Sequence, residues 1–196
     1  MIDRDNHPRA QMAPVKKTTV KKVSCLLGSL LLFALASCSN TVSQCGQFAG
    51  VINQSQEIKS TFEDEIETAK IKAAGSQGLP ELKIAAGEYT TAVSKVTGQI
   101  DEMARDLEGL NIDDEQLDEY RDSYVGVIFE YQEALLAASE AMQLVVDAKD
   151  ENEFRGIFDN FQTRANSAFN NIQLLNAQES DLVGQVNTYC GQQVQS

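Results

Sequence analysis

Histidine is almost missing from this 196-residue chain, the single one being His7. Beyond it no Glu-x-x-His pair can build a di-iron centre in a helical bundle, and no Cys-x-x-Cys-His run can hold c-type haem. Histidine general bases and histidine-assisted nucleophiles are excluded as well. No glycine-rich phosphate loop occurs, and no two cysteines have zinc-site spacing. The sequence therefore nominates no catalytic residue, no metal ligand and no cofactor, and an enzyme is not expected. Proline is scarce too, with Pro80 alone after Pro14. Long helices meet few obstacles in such a chain.

Positive charge is also thin, at 16 Lys and Arg against 29 Asp and Glu. Six of those basic residues and two of the acidic ones lie in residues 1–37. The remainder carries 10 against 27, a net −17 on 159 residues. That balance argues against nucleic acid and against a peripheral hold on anionic lipid. It favours solubility, cations or a basic partner. The length suits one domain with a buried core.

What is present begins with a targeting pattern. Lys16, Lys17, Lys21 and Lys22 precede an apolar run, Val23–Ser37, that ends in small residues. Charged start, apolar middle and small-residue end make a secretory signal, and about 15 residues is short for a bilayer-spanning helix. Met12 opens a more usual signal than Met1, which leaves two candidate starts. Leu35-Ala36-Ser37-Cys38 resembles the lipobox of bacterial lipoproteins. The resemblance implies a signal peptide over 1–37, cleavage before Cys38, a diacylglyceryl group on the Cys38 thiol and acylation (palmitate, for example) of the new amino terminus. Each buried methylene contributes about 0.8 kcal/mol, so two or three chains make a durable anchor. In that family an aspartate after the lipidated cysteine can signal inner-membrane retention. Ser39 stands there instead, which favours an outer membrane. The expected location is the periplasmic, or more generally extracytoplasmic, face of a bacterial membrane.

On that reading Cys25 leaves with the signal and Cys38 is consumed by lipid, leaving Cys45 and Cys190. An even pair in an exported chain reads as a disulfide. The separation of 145 residues requires the two ends of the domain to meet. Closing so long a loop is worth about 4–5 kcal/mol on a chain-entropy basis.

From Cys45 the apolar residues recur at three and four, and the pattern predicts four helices. Helix 1 carries Phe48, Val51, Ile58, Phe62, Ile66, Ala69 and Ala73, and breaks at Gly75-Ser76-Gln77-Gly78. Pro80 suits the first turn of helix 2, whose stripe is Leu82, Ala85, Tyr89, Ala92, Val96, Ile100, Met103 and Leu107, ending at Gly109. Asp113 with Gln116 predicts a capping box for helix 3, followed by Leu117, Tyr120, Tyr124, Val127, Tyr131, Ala134, Ala138, Ala141 and Val145. Asp150 with Glu153 predicts another for helix 4. There a strict heptad seam runs through Phe154, Phe158, Phe161, Ala165, Ala168, Ile172, Leu175, Glu179, Leu182, Val186 and Tyr189. Ile157, Phe169, Leu174 and Val183 are expected to widen that seam.

Short connections predict an all-α, antiparallel, up-down-up-down four-helix bundle with coiled-coil-like heptad packing over residues 45–192. A lipidated tether, 38–44, precedes it and a tail, 193–196, follows. This topology puts the start of helix 1 and the end of helix 4 together, where Cys45 and Cys190 stand. Seven extended residues reach about 25 Å, so the bundle is expected to stand near the membrane. Helices 3 and 4 read as the longer pair, so their connecting corner should protrude at the far end.

Glu179 is the one charge in the helix 4 seam. Counting along the helices sets Ser55, Gln99 and Tyr124 at its level, which suggests a polar layer across the core. Such a layer can fix helix register or line a small ligand pocket. Acidic clusters stand at Glu63–Glu67 and Asp113–Glu119, without the ligand alternation or central glycine of a calcium loop. From Gln162 to Ser196 only Arg164, Glu179 and Asp181 are charged. Amides at Gln162, Asn166, Asn170 and Gln173 fall on one stripe, a charge-poor face of the kind that contacts another protein. The expected function is a membrane-tethered interaction or assembly module for another envelope protein. The alternative is a ligand-sensing or solute-binding bundle that uses the polar layer. At the level of fold the chain looks like the small lumenal lipoproteins of cyanobacterial photosystems, which would place it in a thylakoid lumen, although it carries none of their sequence motifs.

Overall fold

Four helices follow one another in the computed structural model, which describes residues 32–195 with side chains from Asn40 onward. They are α1 (Leu32–Gly75), α2 (Leu79–Glu108), α3 (Glu115–Asp147) and α4 (Glu151–Gln193). The basic segment and most of the expected signal, both candidate starts, the Cys38 side chain and Ser196 lie outside the described residues. Among the described residues there is no strand, and no helix is long and apolar enough to cross a membrane.

Each break has a local cause. After Gly75 the chain turns through Ser76–Gly78, the Gln77 N–H donates to Glu81 Oε2 at 2.7 Å, and Pro80 sits in the first turn of α2. That position needs no backbone donor. α2 stops at Gly109, whose N–H donates to the Arg105 carbonyl at 2.9 Å. Asp150 caps α4 as expected, its Oδ1 accepting from the Asn152 and Glu153 N–H groups at 2.9 Å. Glu153 reaches back to the Lys149 N–H at 2.9 Å, one residue earlier than the usual reciprocal bond. The α3 cap is displaced by one residue from the expected Asp113. Asp114 Oδ1 accepts from the Leu117 N–H at 3.0 Å, while the Asp113 carboxylate turns to Asn40 Nδ2 at 3.4 Å. Gln116 donates to Glu119 Oε2 at 3.1 Å and so completes no box.

Each helix packs closely on its sequence neighbours, and α1 packs on α4 much less extensively. The helices therefore form the antiparallel four-helix bundle that the periodicity predicts. Its main core runs through Phe48, Ile52, Val96, Met103, Leu107, Leu117, Tyr124 and Val186. A fully buried Phe or Leu contributes about 1.5–3 kcal/mol each. A thinner cluster of Leu79, Ala86, Val145 and Ala148 fills the opposite end. Cys45 and Cys190 meet as the topology requires, with Sγ–Sγ 2.08 Å and Cα–Cα 5.8 Å.

Three expectations are corrected. Residues 38–44 continue α1 as helix instead of forming an extended tether, because Thr41 and Gln44 are buried against the start of α3. At 1.5 Å rise per residue the separation of residues 38 and 45 shrinks to about 10 Å. The α3–α4 corner does not protrude beyond the α1–α2 corner. Lys83 on α2 donates to the Ala148 carbonyl at 2.9 Å, and Gly78 lies beside Glu151, so the two far corners are level. Finally, Phe169 and Leu174 do not widen the core seam of α4. They are 37 % and 64 % exposed: Phe169 stands on the α1 flank of α4, beside Ile66 and Ala69, Leu174 on the α3 flank, beside Glu130 and Ala134, and neither flank closes over them.

Candidate functional site

Glu179 sits in the heptad seam of α4, and its neighbours there are apolar, so its carboxylate points into the core at 5 % exposure. A charge so placed needs partners. The Tyr124 hydroxyl of α3 donates to Oε1 at 2.8 Å, and the Ser55 hydroxyl of α1 donates to the same oxygen at 3.3 Å. The two hydroxyl oxygens are 3.0 Å apart. Lys59, one turn beyond Ser55 on the same face of α1, forms an ion pair with Oε2. Its ammonium also donates to Asn176 Oδ1 at 3.3 Å and lies 5.4 Å from the centre of the Tyr131 ring. Burial pushes the Lys59 ammonium below its ordinary value, against the nearby Glu63 carboxylate, which raises it. Burial also raises the Tyr124 phenol, opposed by its bond with Ser55.

Three of the four residues expected in the polar layer thus come together, and Gln99 does not. The inward positions of α2 at this level belong to Val96, Ile100 and Met103, and Gln99 lies on the half-exposed flank. Counting residues from the helix ends fixed the height but not the rotation. Lys59 was missed because an isolated lysine reads as solvated. The signal that could have found it is its i,i+4 relation to Ser55. The layer borders a cavity of about 30 Å³, lined by Ser55, Lys59 and Glu179 together with Ile58, Val96 and Tyr131 among others. That is room for about one water. No buried side-chain polar atom among the described residues lacks a hydrogen-bond partner. The layer's hydrogen bonds and ion pair join α1, α3 and α4 at one level.

A second polar cluster ties the disulfide end. Gln44 Oε1 on α1 accepts from the N–H groups of Asp113 and Asp114 at 3.1 and 3.2 Å. The Thr41 hydroxyl donates to Asp114 Oδ2 at 3.3 Å, and the Tyr189 hydroxyl of α4 lies 2.7 and 2.8 Å from the two Asp114 oxygens. Partial burial raises the Asp114 carboxyl, but donors from Tyr189, the Leu117 N–H, Thr41 and the Gln116 N–H outweigh it and hold the group below its ordinary value. Burial, with Asp114 and Tyr120 nearby, pushes the Tyr189 phenol up to about 12. Among the described residues no group of three His, Cys, Asp or Glu is arranged to hold a metal ion.

No protein-family model matches this chain, and no curated protein or solved structure is significantly similar to it. Its own surface is the remaining guide. Gln162, Asn166, Asn170 and Gln173 are all exposed on one side of α4. Glu179 is turned inward, so the exposed charges from Gln162 to Gln195 reduce to Arg164 and Asp181. This amide stripe borders the loosely packed α1–α4 seam, together with the exposed Phe169 ring.

Proposed function

We propose that the protein is a lipid-tethered interaction module that docks another envelope protein on the amide face of α4. The observation that carries this reading is the near absence of exposed charge along more than 30 residues of α4, while α2, α3 and the second half of α1 are strongly acidic. Charge depletion is characteristic of the centre of a protein interface. A face of Gln162, Asn166, Asn170 and Gln173 offers hydrogen bonds without a charge to desolvate. Support for the tether is the lipobox-like run ending at Cys38, with the disulfide end of the bundle following about 10 Å further along the helix. The amide face then stands up to tens of ångströms from the bilayer along α4. The expected partner is therefore a membrane protein with an extracytoplasmic domain.

The docking test is a photo-crosslinking side chain at Asn166 or Asn170 in intact cells. One stoichiometric membrane-protein adduct is expected, and Asn166→Glu should abolish the association while leaving thermal stability unchanged. Undiminished association in that variant overturns the docking face. The tether is checked by the mass of the first tryptic peptide of the mature product. A bare Cys38 thiol, or a different first residue, overturns it.

A further inference from the structure

We propose that a cleft between α1 and α4, at the end opposite the disulfide, binds a medium-length fatty acid with its carboxylate at Lys70. The cleft follows from unequal side-chain sizes. α1 and α2 present Ala69, Ala73 and Ala85 where α4 brings Phe154, Phe158 and Phe161. The three rings support one another, with centroids 5.7, 6.1 and 6.5 Å apart. They form a wall that the alanines are too short to meet. The result is a cavity of about 270 Å³, in the region where the core is thinnest.

Its chemistry selects the ligand. Almost no polar atom faces the cavity, so water inside finds few hydrogen bonds and an apolar occupant replaces it favourably. An engineered apolar cavity of about 150 Å³ already binds benzene, and this one is larger. Its shape favours a chain over a ring. The lining extends from Phe154 to Phe169 on α4 and from Ile66 to Ala73 on α1, about 22 and 10 Å along the two helix axes. At one end the Phe169 ring stands edge-on to Tyr89, at 6.4 Å between centroids. Lys70 is the one charged residue of the lining. Its ammonium is 3.1 Å from Glu67 Oε2, and both side chains are well exposed. The lysine can turn from Glu67 to a ligand carboxylate at the mouth.

The test uses the purified full chain titrated with decanoate and decanol by calorimetry, both below their aggregation limits. Saturable 1:1 decanoate binding and a raised melting temperature are expected. Ala73→Phe, which fills the cavity, should weaken binding at least tenfold. Lys70→Gln should weaken decanoate about threefold and leave decanol unchanged, and Glu67→Gln should tighten decanoate by a similar factor. These rim variants are exposed and keep the test informative should Ala73→Phe fold poorly. Absence of saturable binding overturns the proposal, as does an Ala73→Phe protein that folds and binds like wild type. Equal binding of decanol and decanoate with no response to Lys70→Gln rejects the fatty-acid assignment. Asn166→Glu should not alter decanoate binding, so failure here and failure of the docking face are separate results.

Discussion

At 5 % exposure, an isolated Glu179 carboxylate would cost several kcal/mol, and the core offsets this through Ser55, Lys59 and Tyr124 on two other helices. Removing one partner is expected to hurt more than removing the pair. Glu179→Leu strands the Lys59 ammonium and should cost about 1–3 kcal/mol, less than for a wholly buried ion because the Lys59 side chain keeps 24 % of its surface in water. Lys59→Met with Glu179→Leu should recover most of that loss. Urea unfolding of the four proteins gives the cycle, and strictly additive costs would show that the layer does not act as a unit. Asp114 predicts a different behaviour, in pH. Its folded carboxyl lies below the ordinary value, so its contribution is complete above the unfolded carboxyl pKa and is lost as pH falls through the folded one. Asp114→Ala should cost about 1–2 kcal/mol as a lost helix cap. Asp114→Asn keeps a capping oxygen and should flatten the acid limb of stability against pH. Tyr89 and Tyr189 carry the opposite sign, both raised to about 12. Stability that is complete below pH 10 should decline as pH rises towards 12, with delayed phenol absorbance at 295 nm as the readout.

Among the elements, the two middle helices are each packed on both sequence neighbours, yet α2 carries Gly87 and Gly98 in its interior and α3 carries Gly126. A Cβ at Gly98 or Gly126 would meet nothing within 4 Å. Gly98→Ala and Gly126→Ala should each stabilise the bundle by about 0.5–1 kcal/mol, through helix propensity and a less flexible unfolded chain. Denaturant midpoints check this, and a loss of stability would mean that a close neighbour packs on the bare backbone. The helices themselves were largely legible in the sequence, because their ends are written in local chemistry. Asp150, Gly109 and the Gly75–Gly78 break act within one turn. The one-residue displacement of the α3 cap was not legible, because Gln44, some 70 residues earlier, takes both the Asp113 and Asp114 N–H groups. The exposure of Phe169 was hidden for a related reason. A heptad count is symmetric about its seam, and only the reach of the facing side chains decides which flank closes. Ala69 and Ala73 carry that information, but on a different helix.

For the molecule as a whole, the loose seam between α1 and α4 makes the disulfide more than an end staple. The two helices lie far apart in sequence and share few contacts. Cys45–Cys190 joins the seam covalently, alongside the Glu179 layer and the Asp114 cluster. The topology alone would let helix order persist without the bond, since the short corners keep α1 on α2 and α4 on α3. Reduction, or Cys45→Ala with Cys190→Ala, should therefore leave far-UV helicity nearly intact while lowering stability by about 2–5 kcal/mol. The loss should also be uneven. Amide exchange should accelerate first in residues 45–58 of α1 and 179–190 of α4, which face one another across the seam, and only later in α2 and α3. Local opening of this kind is expected where a contact surface is thin. A uniform acceleration in all four helices would mean that the bundle opens as one cooperative unit. The seam would then be closed as firmly as its neighbours.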